Sequence, residues 1–200
     1  MAQKSSATTL RPGSALQFLE GFLRQPLTVG ALWPSSEVLA EAVVASCEFA
    51  PGDTVVELGP GTGAFTHRLL HRLQAPGELL AFEVNEPSVR LLRERFPACR
   101  TIHDSAAHLP RHLAGRQARC VVSGLAWGNM LPAAQDQIMR AIVASLAPGG
   151  QFVAFAYVHA RYYPTTLRFR RLMFREFAHV ETTPVIWRNL PPAYIYRCRR

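Results

Sequence analysis

Between residues 54 and 157 short apolar runs alternate with segments of helical period, and no other feature of the chain narrows its fold as much. TVVEL (54–58), LLAFEV (79–84), RTIH (100–103), CVVSG (120–124) and QFVAFAY (151–157) read as strands, being short, rich in β-branched and aromatic residues, and bounded by turn formers. The stretches 63–73, 87–96, 106–113 and 133–146 between them repeat apolar residues at helical spacing. Strands separated by helices pair through crossovers, so the pattern predicts a parallel sheet covered on both faces. After a basic helix near 165–177, VETTPVIW and AYIYRCR flank the turn signal RNLPP and predict a closing antiparallel hairpin. The expectation is an α/β fold with a mostly parallel, seven-stranded sheet.

Ahead of this unit, residues 1–13 read as a flexible polar tail. Ser14 can cap a helix carrying Leu16, Phe18, Leu19, Phe22 and Leu23, ended by Pro26. Pro34, Ser35 and Ser36 introduce a second, through Val38, Leu39, Ala42 and Val43 to about Cys47. Two hundred residues suit one core, so 14–200 is expected to be a single domain, with accessory helices to residue 50 and the α/β core from 51. With 48% apolar and 18% charged residues the chain is not of the disordered class. The longest uncharged stretch, 141–160, is broken by Pro148, Gly149 and Gly150, which argues against a membrane span, and MAQKSSATTLRPGS lacks the apolar stretch of a secretory signal. A cytoplasmic location is expected. Cys47, Cys99, Cys120 and Cys198 form no CxxC pair and read as reduced core residues.

The positive charge is concentrated at one end. Residues 161–200 hold nine arginines against Glu176 and Glu181, which accounts for nearly all of the formal +8. Such a patch attracts polyanions, either nucleic acid or an anionic membrane surface. Arginines 168, 170, 171 and 175, with Leu167, Phe169, Leu172, Met173, Phe174 and Phe177, could put one helix on a membrane or make it a cover over the sheet.

The strongest local motif is VVELGPGTGAFT (55–66), with Gly59, Gly61 and Gly63 between a strand and a helix. Glycines there allow close backbone approach to a ligand. Gly59, Gly61 and Ala64 also satisfy the dinucleotide fingerprint, and Glu83 stands where a ribose-binding acid would. Glu57 tips the balance, because a carboxylate at the mouth of the loop repels a pyrophosphate and suits a cationic ligand.

At ELGPGTG (57–63), and at LAPGGQFVAF (146–155) leading into the fifth strand, the chain resembles the class I S-adenosylmethionine-dependent methyltransferases, a Rossmann-like family. It is similar more specifically to bacterial phospholipid N-methyltransferases, through FLRQPLTVGALWPSS (22–36), VVSGL (121–125) and WRNLPPAYIYR (187–197). The resemblance implies that Glu57, Gly59, Gly61, Thr62 and Gly63 hold the methionyl part of S-adenosylmethionine and that Glu83 accepts from both ribose hydroxyls. It further implies that Asp104 accepts from the adenine amino group, that the Ser105 or Ala106 backbone contacts the ring, and that Ser123 and Gly124 floor the pocket beside the sulfonium. The weaker alternative for Asp104 is a helix N-cap. Ala126 and Trp127 stand where that family has proline, and SGLAW (123–127) lacks the asparagine of the NLPY-like motif in rRNA adenine dimethylases.

Amine methylation needs a neutral nitrogen aligned with the methyl donor, and aromatic faces can accommodate the cationic product. Trp127 and Tyr157 are the candidate catalytic rings. Arg188 and Tyr194 are candidate contacts to the substrate, Arg188 to a lipid phosphate, with Trp187 beside them; Trp187 and Tyr194 read as well as core aromatics. His67 with His71, and His108 with His112, have metal-chelating spacing, but Arg68, Arg72 and Arg111 crowd them and no nearby carboxylate completes a site, so they read as solvated helix faces, with no metal expected. The implied activity is N-methylation of an aminolipid such as phosphatidylethanolamine or an ornithine-type lipid, by a cytoplasmic protein resting on the inner face of an anionic membrane. RNA base methylation is the runner-up, and cofactor binding without turnover a third reading.

Overall fold

In a computed structural model, residues 37–73 and 77–200 are described. The tail, the helix expected from Ser14 and the motif at 22–36 lie outside the described residues. The first described helix, α1 (Glu37–Ala45), is the expected second accessory helix.

From there the alternation runs as the pattern predicts: β1 (Thr54–Leu58), α2 (Ala64–Leu73), β2 (Glu78–Glu83), α3 (Glu86–Arg95) and β3 (Arg100–His103). A 3-10 turn (Ala106–His108) leads into α4 (Leu109–Leu113), followed by β4 (Ala118–Ser123), a 3-10 turn (Trp127–Asn129), α5 (Pro132–Ser145) and β5 (Leu146–Tyr157). A third 3-10 turn (Val158–Ala160), α6 (Pro164–Glu176), β6 (His179–Thr182) and β7 (Ala193–Arg199) complete the chain.

The sheet order is β3-β2-β1-β4-β5-β7-β6, parallel except at β7, which pairs antiparallel with both β5 and β6. One expectation is corrected here. VETTPVIW is not one strand: ladder pairing stops at Thr182, and residues 183–192 form a long connection tied to β7 by Thr183, whose N–H donates to Ile195 O at 2.9 Å and whose Oγ1 accepts from Ile195 N–H at 3.1 Å, and by the Ile186–Ala193 bridge. Pro184 cannot donate to a ladder, which is a physical reason for the early stop.

Alternate strand residues serve opposite layers. Val55, Leu79, Ala81, Cys120, Val122 and Val153 meet the helices α1, α2 and α3 on one face. Val56, Leu80, Phe82, Val121, Phe152 and Ala154 meet α4, α5 and α6 on the other. All four cysteines are free and buried in these layers, as the patterning suggests. The basic helix α6 turns out to be a cover: Phe169, Leu172 and Met173 are buried against the sheet, as is Phe177 just beyond it, and Arg168 pairs with Asp136 of α5 at 2.5 Å. No helix among the described residues is long and apolar enough to cross a membrane.

Candidate functional site

The parallel strands β1 to β5 end along one edge, and β7, running the other way, starts there, with Ala193 opposite Tyr157. In open α/β sheets ligands bind beyond this edge, where the strand order reverses. Here the reversal lies between β1 and β4, with β2 and β3 to one side and β5 and β7 to the other.

The β1 side carries three carboxyl groups from three consecutive strand ends. Glu57 is fully buried beneath the glycine loop rather than at its mouth. Thr66, in the first turn of α2, donates to its Oε2 at 2.7 Å, while Oε1 has no partner. Burial pushes this carboxyl up to about 8, the Thr66 hydroxyl opposing and nearby Glu83 reinforcing. A buried acceptor without a partner costs stability unless something completes it. Nothing in the sequence marks Thr66 as a functional residue beyond its place one helical turn past the loop.

Glu83 ends β2. Its Oε1 accepts the backbone N–H groups of Val84 (2.8 Å) and Asn85 (2.9 Å), and Oε2 accepts a longer bond from Gly61 N–H (3.2 Å). The carboxylate is thus fixed before any ligand arrives, with Oε2 as its less committed oxygen. Asp104 follows β3. Its Oδ1 accepts the Ser105 N–H at 2.7 Å and lies 2.8 Å from His108 Nδ1, and its Oδ2 lies 2.7 Å from His112 Nε2. Burial opposes ionisation here, but the two histidines and the Ser105 N–H outweigh it and hold Asp104 down at about 2. This corrects the reading of His108 and His112 as solvated faces lacking a carboxylate. The N-cap role belongs to Ser105, whose Oγ accepts from Ala107 N–H, and Ala106 is buried next to it.

The glycines divide by what they meet. A Cβ on Gly59 would lie 2.7 Å from Leu125 Cδ2, one on Gly124 would lie 2.6 Å from Gly59 O, and one on Gly63 would strike the Phe96 ring. Those three are needed by the protein's own packing, which draws the β1 and β4 loops together; Gly124 N–H donates to Leu58 O at 2.8 Å. Gly61 is different. Its φ is +55°, yet nothing lies within 4 Å of a Cβ placed there, so the loop stands open at that point. Thr62 beside it is exposed, its carbonyl accepting from Arg95 at 3.1 Å. An orphaned carboxyl oxygen, a fixed carboxylate and an open glycine cradle fit a ligand that brings positive charge and hydroxyl donors.

The β4, β5 and β7 side is built differently. Ser123 is buried, and its Oγ accepts from Trp127 Nε1 at 2.9 Å and Leu125 N–H at 3.3 Å, so its side chain folds the loop instead of flooring an open pocket. Trp127 is corrected with it. The indole is 2% exposed and stacks on Phe169 with centroids 4.3 Å apart, so it supports the edge from below and offers no free face. Tyr194 is also core, its hydroxyl 3.1 Å from that of Tyr196. Tyr157, ending β5, is half-buried, stacked on His159 and edge-on to Phe155, and burial raises its hydroxyl above the ordinary value.

Around these lie exposed apolar side chains on the segments leaving the edge: Leu131, Tyr162 (76%), Tyr163, Trp187 (73%) and Leu190 (68%). Arg161 and Arg188 are exposed among them, the Arg161 guanidinium 5.8 Å from the Tyr162 ring centroid. Of these apolar residues only Trp187 stands out as a candidate contact in the sequence. The signals were RYYP (161–164) and RNLPP (188–192), apolar residues beside proline just past strand ends.

Residues 55–150 match the family described as "Methyltransferase domain". An ornithine lipid N-methyltransferase of Singulisphaera acidiphila is 32% identical over 192 residues, covering 91% of this chain and 94% of that protein. A ribosomal RNA small subunit methyltransferase A of Synechococcus elongatus is 39% identical over only 67 residues, 34% of this chain and 23% of that protein. In structure the chain is similar to a Streptococcus mutans protein solved in complex with SAH, with a TM-score of 0.60 at 16% identity, covering 84% of this chain and 99% of that one. With a relative matched almost end to end, a strand order of 3-2-1-4-5-7-6 and an acid-flanked glycine loop at the switch point, the chain belongs to the class I S-adenosylmethionine-dependent methyltransferases, and its cofactor is S-adenosylmethionine.

Proposed function

We propose that the acceptor is the amine of an aminolipid headgroup, of the ornithine-lipid or phosphatidylethanolamine type. The observation that carries this is the rim of Leu131, Tyr162, Tyr163, Trp187 and Leu190 around the β4–β5–β7 side of the crevice, interleaved with Arg161 and Arg188. Aromatic side chains with an apolar body and a polar tip suit the headgroup level of a bilayer, and arginines add attraction to anionic lipid. The similarity to an ornithine lipid N-methyltransferase over 91% of the chain supports the same reading, whereas the ribosomal RNA small subunit methyltransferases A of Synechococcus elongatus and Dehalococcoides mccartyi match 34% and 51% of it.

When bound, S-adenosylmethionine supplies an electrophilic methyl group on a positively charged sulfur. On this reading Glu57, Gly61, Thr62 and Glu83 hold its methionyl and ribose parts, Asp104 and Ala106 its base, and Gly59, Gly63, Ser123 and Gly124 shape the loops between. Desolvation in the crevice favours the neutral, nucleophilic form of the acceptor amine. The Tyr157 ring at the end of β5 faces the methylated cation, and Arg188 pairs with a headgroup phosphate or carboxylate, a geometry that a guanidinium suits. The protein works on this reading as a peripheral visitor to the inner membrane face, Trp127 and Tyr194 serving the scaffold.

The test is transfer of radiolabelled methyl to ornithine lipid or phosphatidylethanolamine in anionic vesicles, to the same lipids in neutral vesicles and detergent micelles, and to structured RNA. Labelling of lipid, strongest in anionic vesicles, is expected; labelling of RNA and of none of the lipid preparations would overturn the reading.

A further inference from the structure

Of the three crevice carboxyl groups, Asp104 is held by two side chains, His108 and His112, whereas Glu57 is held by the Thr66 hydroxyl and Glu83 by backbone N–H groups. Asp104 begins a run with His108 and His112 in which the 3-10 turn and α4 bring both rings back over the end of β3. An ionised carboxylate only accepts hydrogen bonds, so each facing ring nitrogen must carry its proton: Nδ1–H in His108 and Nε2–H in His112. His112 is further fixed by its ring, edge-on to Phe82 of β2 at 5.3 Å between centroids. Either ring remains a donor whether neutral or doubly protonated.

The carboxylate's acceptor capacity is nearly spent. It has about four lone-pair positions. The Ser105 N–H and His108 fill both on Oδ1, and His112 fills one on Oδ2. One position is left, on Oδ2, on a side chain that is still partly exposed at the crevice edge.

We propose that His108 and His112 are positioning residues for purine selection: by filling the other acceptor positions they leave Asp104 one fixed acceptor, which takes a 6-amino group and rejects a 6-oxo group. A site with a committed hydrogen-bonding partner discriminates strongly against a ligand that cannot supply the matching group. A 6-oxo purine would set its own acceptor against the carboxylate. With the clamp gone, the side chain can rotate, take water, and accommodate either base. This rests on the reading of Asp104 as the acceptor for the cofactor's base.

The experiment is calorimetric binding of S-adenosylhomocysteine and S-inosylhomocysteine to the wild type, to Asp104→Ala, to the double variant His108→Ala/His112→Ala, and to the donor-restoring double variant His108→Asn/His112→Gln. Asparagine and glutamine amides can place an N–H near Nδ1 and Nε2 respectively, and they keep the proposal testable if the alanine pair does not fold. The wild type is expected to prefer the adenine form at least tenfold. The alanine pair should lose most of that ratio, and the amide pair should regain it. An unchanged ratio in the alanine pair, with Asp104→Ala abolishing it, overturns the clamp alone. An unchanged ratio in Asp104→Ala overturns the clamp together with the base-acceptor reading on which it stands. Loss of the ratio in both histidine pairs shows packing of the rings, not donation, to matter, and also overturns the proposal.

Discussion

The two halves of the crevice edge share one sheet and have opposite chemistry. On the β1–β2–β3 side, three strand ends in succession deliver Glu57, Glu83 and Asp104, each set by hydrogen bonds from its own neighbourhood. On the β4–β5–β7 side, the strand ends deliver a buried Ser123–Trp127 pair and a half-buried Tyr157, and the outer segments display arginines and bare apolar side chains. An acidic, prearranged half suits a cofactor that is the same in every turnover. An open half with exposed apolar side chains costs solubility, which a contact surface can justify. On the proposed reading, preorganisation and exposure are distributed by ligand along one edge.

Two tryptophans of the second half give the largest contrast. Trp127→Ala removes a ring stacked on Phe169 and a buried hydrogen bond to Ser123, and should cost about 3 to 5 kcal/mol of stability by urea unfolding. Trp187→Ala removes an exposed ring and should stay within about 0.5 kcal/mol. Equal costs would erase the division into support and contact surface.

Next comes Glu83→Ala. Losing a carboxylate that already holds three backbone N–H groups should weaken S-adenosylmethionine binding by about 1.5 to 3 kcal/mol in calorimetry, with vesicle association unaltered. A matching loss of vesicle association would mean that the halves are not separable.

Glu57 sharpens the first half through pH. Its carboxyl is raised from 4.5 to about 8, so the cofactor-free folded protein retains a proton that the unfolded chain gives up above about 4.5. Stability from this group is therefore present below that pH and lost as pH rises toward about 8. A cationic ligand favours the ionised form, so S-adenosylmethionine binding near neutral pH should release a proton. Binding heats measured in buffers of different ionisation enthalpy would report it, and Glu57→Gln should abolish the difference.

The smallest effect belongs to the arginines. Arg161→Gln and Arg188→Gln should each remove up to about 1 kcal/mol of affinity for anionic vesicles at low salt, less as the Debye length shrinks. Arg168→Gln and Arg175→Gln should do less, being paired with Asp136 and Glu176.

Legibility follows the same division. The strands and crossover helices were readable because a doubly covered sheet writes apolar runs and helical periods directly into the chain, and Glu57, Glu83 and Asp104 stood out as acids just at or after apolar runs. Which aromatic residues are core is not readable, since Trp127 follows one strand-like run and Trp187 closes another, and only tertiary packing separates 2% from 73% exposure. The Asp104 clamp is not legible because the carboxylate belongs to the preceding strand end, and only the turn between brings both rings back to it. The hairpin was overdrawn because Val180, Val185 and Ile186 read as one strand across Pro184.

The division of the edge is tested most directly with one variant, Tyr162→Ser/Trp187→Ser/Leu190→Ser, assayed for cofactor affinity by calorimetry and for association with anionic vesicles by sedimentation. These side chains are exposed, so the fold should survive their replacement. Vesicle association should fall at least tenfold while S-adenosylmethionine affinity stays within twofold of the wild type. Undiminished vesicle association, or an equal loss of cofactor affinity, would contradict a crevice whose two halves serve different ligands.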